Sequence, residues 1–132
     1  MTLIEKYKTY RKIDKELVYK IMRACLEHDV LMKSARLLGM ARGDVLVFDG
    51  AEETNVLTDF ALNEYRVNNK NTIEIYREKI GWQNEIEKDM LDALLSSYTS
   101  LFKITSIFEA ENTLLLNDIC PAPLGGQDTP RR

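Results

Sequence analysis

Five cationic side chains have the chemistry to bind an anion: Lys12, Lys15, Arg23, Arg36 and Arg42. Lysine and arginine neutralise phosphate groups, and arginine can donate two parallel hydrogen bonds to one of them. These cations lie in a basic part of the chain, because residues 1–43 hold ten Lys/Arg and five Asp/Glu whereas residues 44–132 hold eight and sixteen. The pattern predicts an anion or nucleic-acid contact, and it equally fits a solvated surface or complementary halves of a fold or dimer.

Three aromatic side chains are predicted interface residues: Trp82, Phe102 and Phe108. Tryptophan is enriched where protein interfaces concentrate their binding energy, although a single Trp at a helix start more often packs locally. Phe102 and Phe108 lie in the stretch SLFKITSIFE, which alternates as a strand does. Alternation predicts that both phenylalanines share one face of that strand.

The sequence does not place the residue types of a catalytic or metal site near one another. His28 is the only histidine, and no second imidazole, thiolate pair or serine partner lies near it in the chain. Acidic pairs such as Asp49/Glu52 are typical of solvated surfaces, and no phosphate-binding or dinucleotide-binding motif occurs. We therefore predict no catalytic, metal-binding or cofactor-binding residue and favour a protein that is not an enzyme.

The composition is that of a globular protein with its own core. Of 132 residues, 45% are hydrophobic and 30% are charged, and the net charge is -3. The apolar runs are far shorter than the ~18 residues of a membrane helix. The first residues carry charge throughout and lack the apolar segment of a signal peptide. Because Cys25 and Cys120 show no disulfide pattern either, we expect a soluble, cytoplasmic protein that does not contact a membrane.

Helical periodicity covers most of the first hundred residues. Apolar residues recur at steps of three and four, and polar residues lie between them. Asp14 and Thr72 are predicted N-caps, because their side-chain oxygens can accept a backbone N–H. The pattern predicts five or six helices, which start near Leu3, Asp14, Val30, Glu52, Thr72 and Asn84.

The stretch MKSARLLGMARGDVLVFDG, residues 32–50, supports two interpretations. Its first part resembles the second helix and turn of a bacterial helix-turn-helix, which would make residues 30–48 a DNA-binding segment. However, a recognition helix needs cationic or amide side chains, and this turn is followed by acidic residues and four apolar ones. We therefore favour a helix that Gly39 ends, followed by a strand near 44–49 whose apolar side chains are buried.

The remaining strands are predicted close to the C-terminus. Residues 100–109 and TLLLNDI alternate around a turn and predict a hairpin near 100–119. The last residues, CPAPLGGQDTPRR, predict a disordered Pro/Gly tail over 120–132. Together the elements predict one α+β domain over 1–119, mostly helical, with five to six helices packed on a small sheet of the 44–49 strand and the hairpin.

Four segments carry a resemblance to a known group: SARLLGM, DVLVFD, NVLTDFALNEY and SLFKITSIFEAENTLLLNDI. Their order resembles a group of uncharacterised bacterial proteins over most of residues 10–119. Members of that group continue past the position of Asp118 with strand-like sequence, so the resemblance implies a chain shortened at its C-terminus. It implies a fold but no activity.

We therefore expect a non-enzymatic interaction or assembly module. An incomplete sheet leaves an edge strand free, and that edge can pair with a protein partner or with a second copy. The alternative is a DNA-binding protein that uses the segment 30–48.

Overall fold

A computed structural model describes residues 1–120 of the chain. The chain divides into two compact units, Met1–Ser96 and Ser97–Arg132. The first unit contains the helices α1 (Leu3–Cys25), α2 (His28–Leu37), α3 (Glu52–Asp59), α4 (Thr72–Lys79) and α5 (Glu85–Ser96), and the short strands β1 (Ala41–Arg42) and β2 (Val45–Leu46). The second unit contains the strands β3 (Phe102–Phe108) and β4 (Thr113–Asp118).

Helix α1 is continuous from Leu3 to Cys25, so the predicted N-cap at Asp14 is wrong. The cap is Thr2, whose hydroxyl accepts the N–H of Glu5 while the Glu5 carboxylate accepts the N–H of Thr2. This reciprocal pair satisfies N–H groups that the first turn would leave unpaired. Asp14 instead lies half-buried in the middle of the helix, because the apolar periodicity continues through it without a break.

Residues 41–46 form a small hairpin, in which Ala41 pairs with Leu46 and Arg42 with Val45. Gly39 ends α2 with φ +72, and Gly43 takes φ +61 at the hairpin turn, a conformation that favours glycine. The strand interpretation of this segment is therefore confirmed, and the recognition helix of the alternative interpretation is not formed.

The predicted burial of this strand is wrong in part. Val45 and Val47 are exposed, whereas Leu46 and Phe48 pack against a small core cluster formed by Ala35, Met40 and Leu57. A two-residue strand at the surface can bury only alternate side chains, since successive residues point to opposite sides. Only half of the four apolar residues therefore reach the interior.

A π-helical segment, Phe60–Glu64, continues α3 and leads to α4. It ends with a bond from the N–H of Tyr65 to the carbonyl of Phe60. Asn71 caps α4, because its side-chain oxygen accepts the N–H of Glu74, so the predicted cap at Thr72 is wrong by one residue. Asn71 is fully buried, and its amide also donates to the carbonyl of Asn63 at 3.1 Å.

The main core joins α1, the π-helical segment, α4 and α5. Its buried members are Leu17, Ile21, Leu62, Ile73, Tyr76 and Leu91. A buried carboxylate, Glu87, lies beside this core and accepts a bond of 2.6 Å from the Lys20 ammonium and one from the N–H of Gln83. These bonds hold the pKa of Glu87 below its ordinary value.

The predicted α+β class, with its five helices and C-terminal hairpin, is confirmed. The strands differ from prediction in one respect, because β1 pairs with β2 and β3 with β4 in separate sheets. Within residues 1–120, no helix combines the length and the apolar character that a membrane span needs. The single domain over 1–119 stays a prediction, and the predicted tail lies outside the described residues except for Cys120.

Candidate interaction surface

The hairpin of β3 and β4 contains an irregularity that changes which side chains lie together. Ile104 pairs with Leu116, but Ser106 pairs with Leu115, the next residue along β4. Thr105 therefore has no cross-strand partner of its own and forms a β-bulge. Its hydroxyl donates to the carbonyl of Leu115 at 3.1 Å, which holds the extra residue in place.

The bulge assigns the side chains to two different faces. Cross-strand partners share a face and β4 alternates regularly, so the register defines both sets. The first set consists of Phe102, Ile104, Ile107, Leu114, Leu116 and Asp118, and we call its five apolar members the apolar face. The second set, the mixed face, consists of Lys103, Ser106, Phe108, Thr113, Leu115 and Asn117.

Simple alternation would have placed Phe102 and Phe108 on one face, and this prediction is wrong. One extra residue in β3 moves every later side chain of that strand to the opposite face. Ile107 therefore joins Phe102 and Ile104, while Phe108 lies among polar groups.

All five side chains of the apolar face are exposed, from 45% for Phe102 to 63% for Ile107. Scattered exposed apolar residues are normal, but a contiguous apolar patch marks a binding surface in many proteins. The sequence prediction named Phe102 but missed the other four members. The sequence signal that could have identified them is the run TLLL beside an alternating strand, because it places leucines on both faces of a hairpin.

A carboxylate closes the open end of the hairpin. Asp118 pairs with Phe102 and accepts hydrogen bonds from the hydroxyls of Tyr98 and Ser100 and from the N–H of Cys120. The negative charge at the end of the apolar face is therefore stabilised by three hydrogen-bond donors. These bonds fix the chain where the two strands separate.

The predicted cations lie on three different elements. Lys12, Lys15 and Arg23 project from one exposed stripe of α1, since their spacing of three and eight residues brings them to the same side of a helix. No carboxylate within residues 1–120 forms an ion pair with any of the three. Arg36 on α2 pairs with Asp44 at 3.3 Å, and Arg42 is exposed on β1.

Trp82 lies in the first unit, between α4 and α5, and is 43% exposed. The Arg77 guanidinium lies 5.7 Å from its ring centroid and the Lys88 ammonium 5.9 Å. Both distances are within the range of cation–π attraction. Arg77 is in turn held by Asp92 at 2.6 Å. The indole ring thus has local packing partners, and it belongs to a different unit from Phe102 and Phe108.

The first unit also contains a groove of about 410 Å³ that is lined by both apolar and polar residues. Asp14, Asn55, Thr58, Asp59 and Asn63 contribute its polar lining. Burial raises the pKa of the Asp14 carboxyl. The Asn63 amide nitrogen donates to the carbonyl and the carboxylate of Asp59, and its oxygen is buried without a hydrogen-bond partner.

The groove brings together carboxyl, amide and hydroxyl groups but no imidazole or thiol. Across residues 1–120, no three His, Cys, Asp or Glu side chains are placed to hold a metal ion. Cys25 is half-buried, and burial raises the pKa of its thiol, which disfavours the reactive thiolate. The groove therefore offers one acid with a raised pKa and the hydroxyl of Thr58, with no imidazole or thiol among its lining groups.

The fold and these surfaces define an α+β protein with an exposed apolar hairpin. The sequence profile of a family of unknown function, DUF7986, matches residues 1–122, and the chain belongs to that family. The prediction of an uncharacterised family is confirmed. A search of curated proteins gave no match, and neither did a search of solved structures.

Proposed function

We propose that this chain is a non-enzymatic interaction or assembly module and that the apolar face of its hairpin is the binding surface. One observation carries the proposal, namely that five apolar side chains about half exposed lie together on one face. At roughly 100 Å² each, they present about 500 Å² of apolar surface, which is in the range of functional patches.

The hairpin also has a physical need for a partner. A two-stranded hairpin alone is marginally stable in water and normally requires further strands or a packed element. A protein that covers the apolar face supplies this burial. We place the contact on the face rather than on the sheet edge, because the apolar side chains project from the face.

A photo-cross-linking amino acid tests this surface. It replaces Ile107 on the apolar face, and in the matched control it replaces the neighbouring Phe108 on the mixed face. Irradiation of cells that produce the full chain is expected to give a discrete adduct from position 107, which Leu114→Lys abolishes. Equal adducts from both positions, or none from position 107, would contradict the proposal.

A second candidate function rests on the exposed stripe of Lys12, Lys15 and Arg23 on α1. These cations are free of carboxylate partners within residues 1–120 and can bind a polyanion such as nucleic acid. The segment 30–48 does not support this candidate, because a hairpin occupies the place of a recognition helix. Salt-dependent retention on DNA that Lys12→Glu weakens would support it.

We also propose that the protein acts in the cytoplasm of a bacterium. The resemblance of its apolar segments to bacterial proteins supports the origin. Cys25 and Cys120 are both free thiols, which suits a reducing compartment. A thiol titration of freshly isolated native protein is expected to count both cysteines as reduced.

A further inference from the structure

We infer that the partner of the apolar face is a second copy of this chain, and that two hairpins pack face to face. This inference rests on the proposed function and names its partner. Two apolar faces together bury about 1,000 Å², which is the minimum area expected of a biological interface. This area is below the roughly 1,200–2,000 Å² of stable specific interfaces, so the dimer is expected to be reversible and concentration-dependent.

Face-to-face packing suits a sheet that carries its apolar side chains on one face. Two sheets pack about 10 Å apart when their facing side chains interdigitate, and this arrangement forms a core between them. A two-fold axis makes the same patch serve both copies. Phe102, Ile104 and Ile107 of one copy then lie against the same set of the other, and four strands in two layers replace two marginal hairpins.

The charges of the hairpin permit this packing. Glu109 and Glu111 lie in the turn, and Asp118 lies at the open end with its carboxylate already hydrogen-bonded. Asp118 is the one charged residue of β3 and β4 on this side, where it pairs with Phe102, because Lys103 belongs to the mixed face. The Asp118 carboxylate lies at the end of the contact and already accepts hydrogen bonds from Tyr98, Ser100 and Cys120, which lowers the cost of covering it.

The geometry of β3 disfavours pairing through its edge. A β-bulge interrupts the edge at Thr105, and Lys103 lies on the same strand. Bulges and lysines on edge strands are devices that prevent edge-to-edge association. The apolar face is therefore a better surface for a second copy than the edge of β3.

Sedimentation equilibrium of the full chain over a wide concentration range tests the inference. The wild type is expected to shift from 15.3 kDa towards twice that mass as its concentration rises. Leu114→Lys and Leu116→Lys each put a charge on the apolar face and are expected to raise the dissociation constant by at least about tenfold. Leu115→Lys, the matched control between them, changes the mixed face and is expected to raise it less than about threefold.

Added salt is expected to leave the dimer intact, because apolar contacts are not screened as charge contacts are. A wild type that stays monomeric at every concentration would overturn the inference. So would a Leu115→Lys variant that dissociates as readily as Leu114→Lys. If the cross-linker at position 107 still captures a different protein, the proposed function survives while this inference fails; if it captures nothing, both fail.

Discussion

Replacement of Asn71 by alanine is expected to destabilise the first unit more than any single surface change. Asn71 is fully buried, and its side chain makes two hydrogen bonds that join α4 to the end of the π-helical segment. The oxygen caps α4 through the N–H of Glu74, and the nitrogen satisfies the carbonyl of Asn63. Alanine can make neither bond.

The magnitude follows from those two bonds. Loss of an N-cap costs about 1 kcal/mol. A partly buried carbonyl left without its donor costs about 1–3 kcal/mol more. The sum of about 2–4 kcal/mol corresponds to a fall in Tm of roughly 10–25 °C for a unit of this size.

Thermal unfolding followed by the fluorescence of Trp82 measures this change, because it is the only tryptophan and lies in the same unit. Asn71→Ser keeps an oxygen that can cap α4 and is expected to lose only part of the stability. Asn55→Ala, on an exposed position of α3, is the matched control and is expected to change stability by less than about 0.5 kcal/mol. The reasoning is refuted if Asn71→Ala unfolds within a few degrees of the wild type.

Further predictions concern the core, a buried carboxylate and the cations. Leu91→Ala removes a fully buried side chain and is expected to lower the free energy of unfolding, measured in urea, by about 2–5 kcal/mol. A loss below about 1 kcal/mol would mean that the core is packed differently. The pKa of Glu87 is lower in the folded protein than in the unfolded chain. The ionised side chain therefore stabilises the fold above the unfolded pKa of about 4.3, and this stabilisation is lost as the pH falls through the folded pKa. Glu87→Gln should therefore be less stable than the wild type at pH ~7, with the difference narrowing below pH ~4, and a pH-independent difference would contradict the assignment. On heparin, Lys15→Glu is expected to lower the eluting salt concentration more than Arg36→Glu does. The reason is that Arg36 already has an acidic partner, Asp44. The reverse order would locate polyanion binding on α2.

The helices could be predicted from the sequence because their apolar residues recur with helical spacing over many turns. Their ends were harder to predict. Asp14 has the residue type of an N-cap, yet the apolar stripe of α1 runs through it, and the stripe determines the structure. Asn71 and Thr72 are both capping residue types in adjacent positions, and only the burial of Asn71 against the π-helical segment decides between them.

The candidate surface could be predicted only in part. Alternation and the turn identified the hairpin, and Phe102 was correctly placed on a strand with apolar neighbours. The bulge at Thr105 could not be predicted, since it depends on the register with β4 and on a bond between the Thr105 hydroxyl and the Leu115 carbonyl. Because one residue of register exchanges the two faces, the position of Ile107 and Phe108 required the structure.

Methyl NMR with a soluble paramagnetic probe is the most direct test of the apolar face. We propose that this face is exposed in a single chain and covered by a partner. In dilute solution, the methyl groups of Ile104, Ile107, Leu114 and Leu116 are expected to be relaxed by the probe. As the concentration rises they should become protected, while those of Leu115 on the mixed face stay accessible. Methyl groups on the apolar face that are protected at every dilution, or accessible at every concentration, would contradict the account.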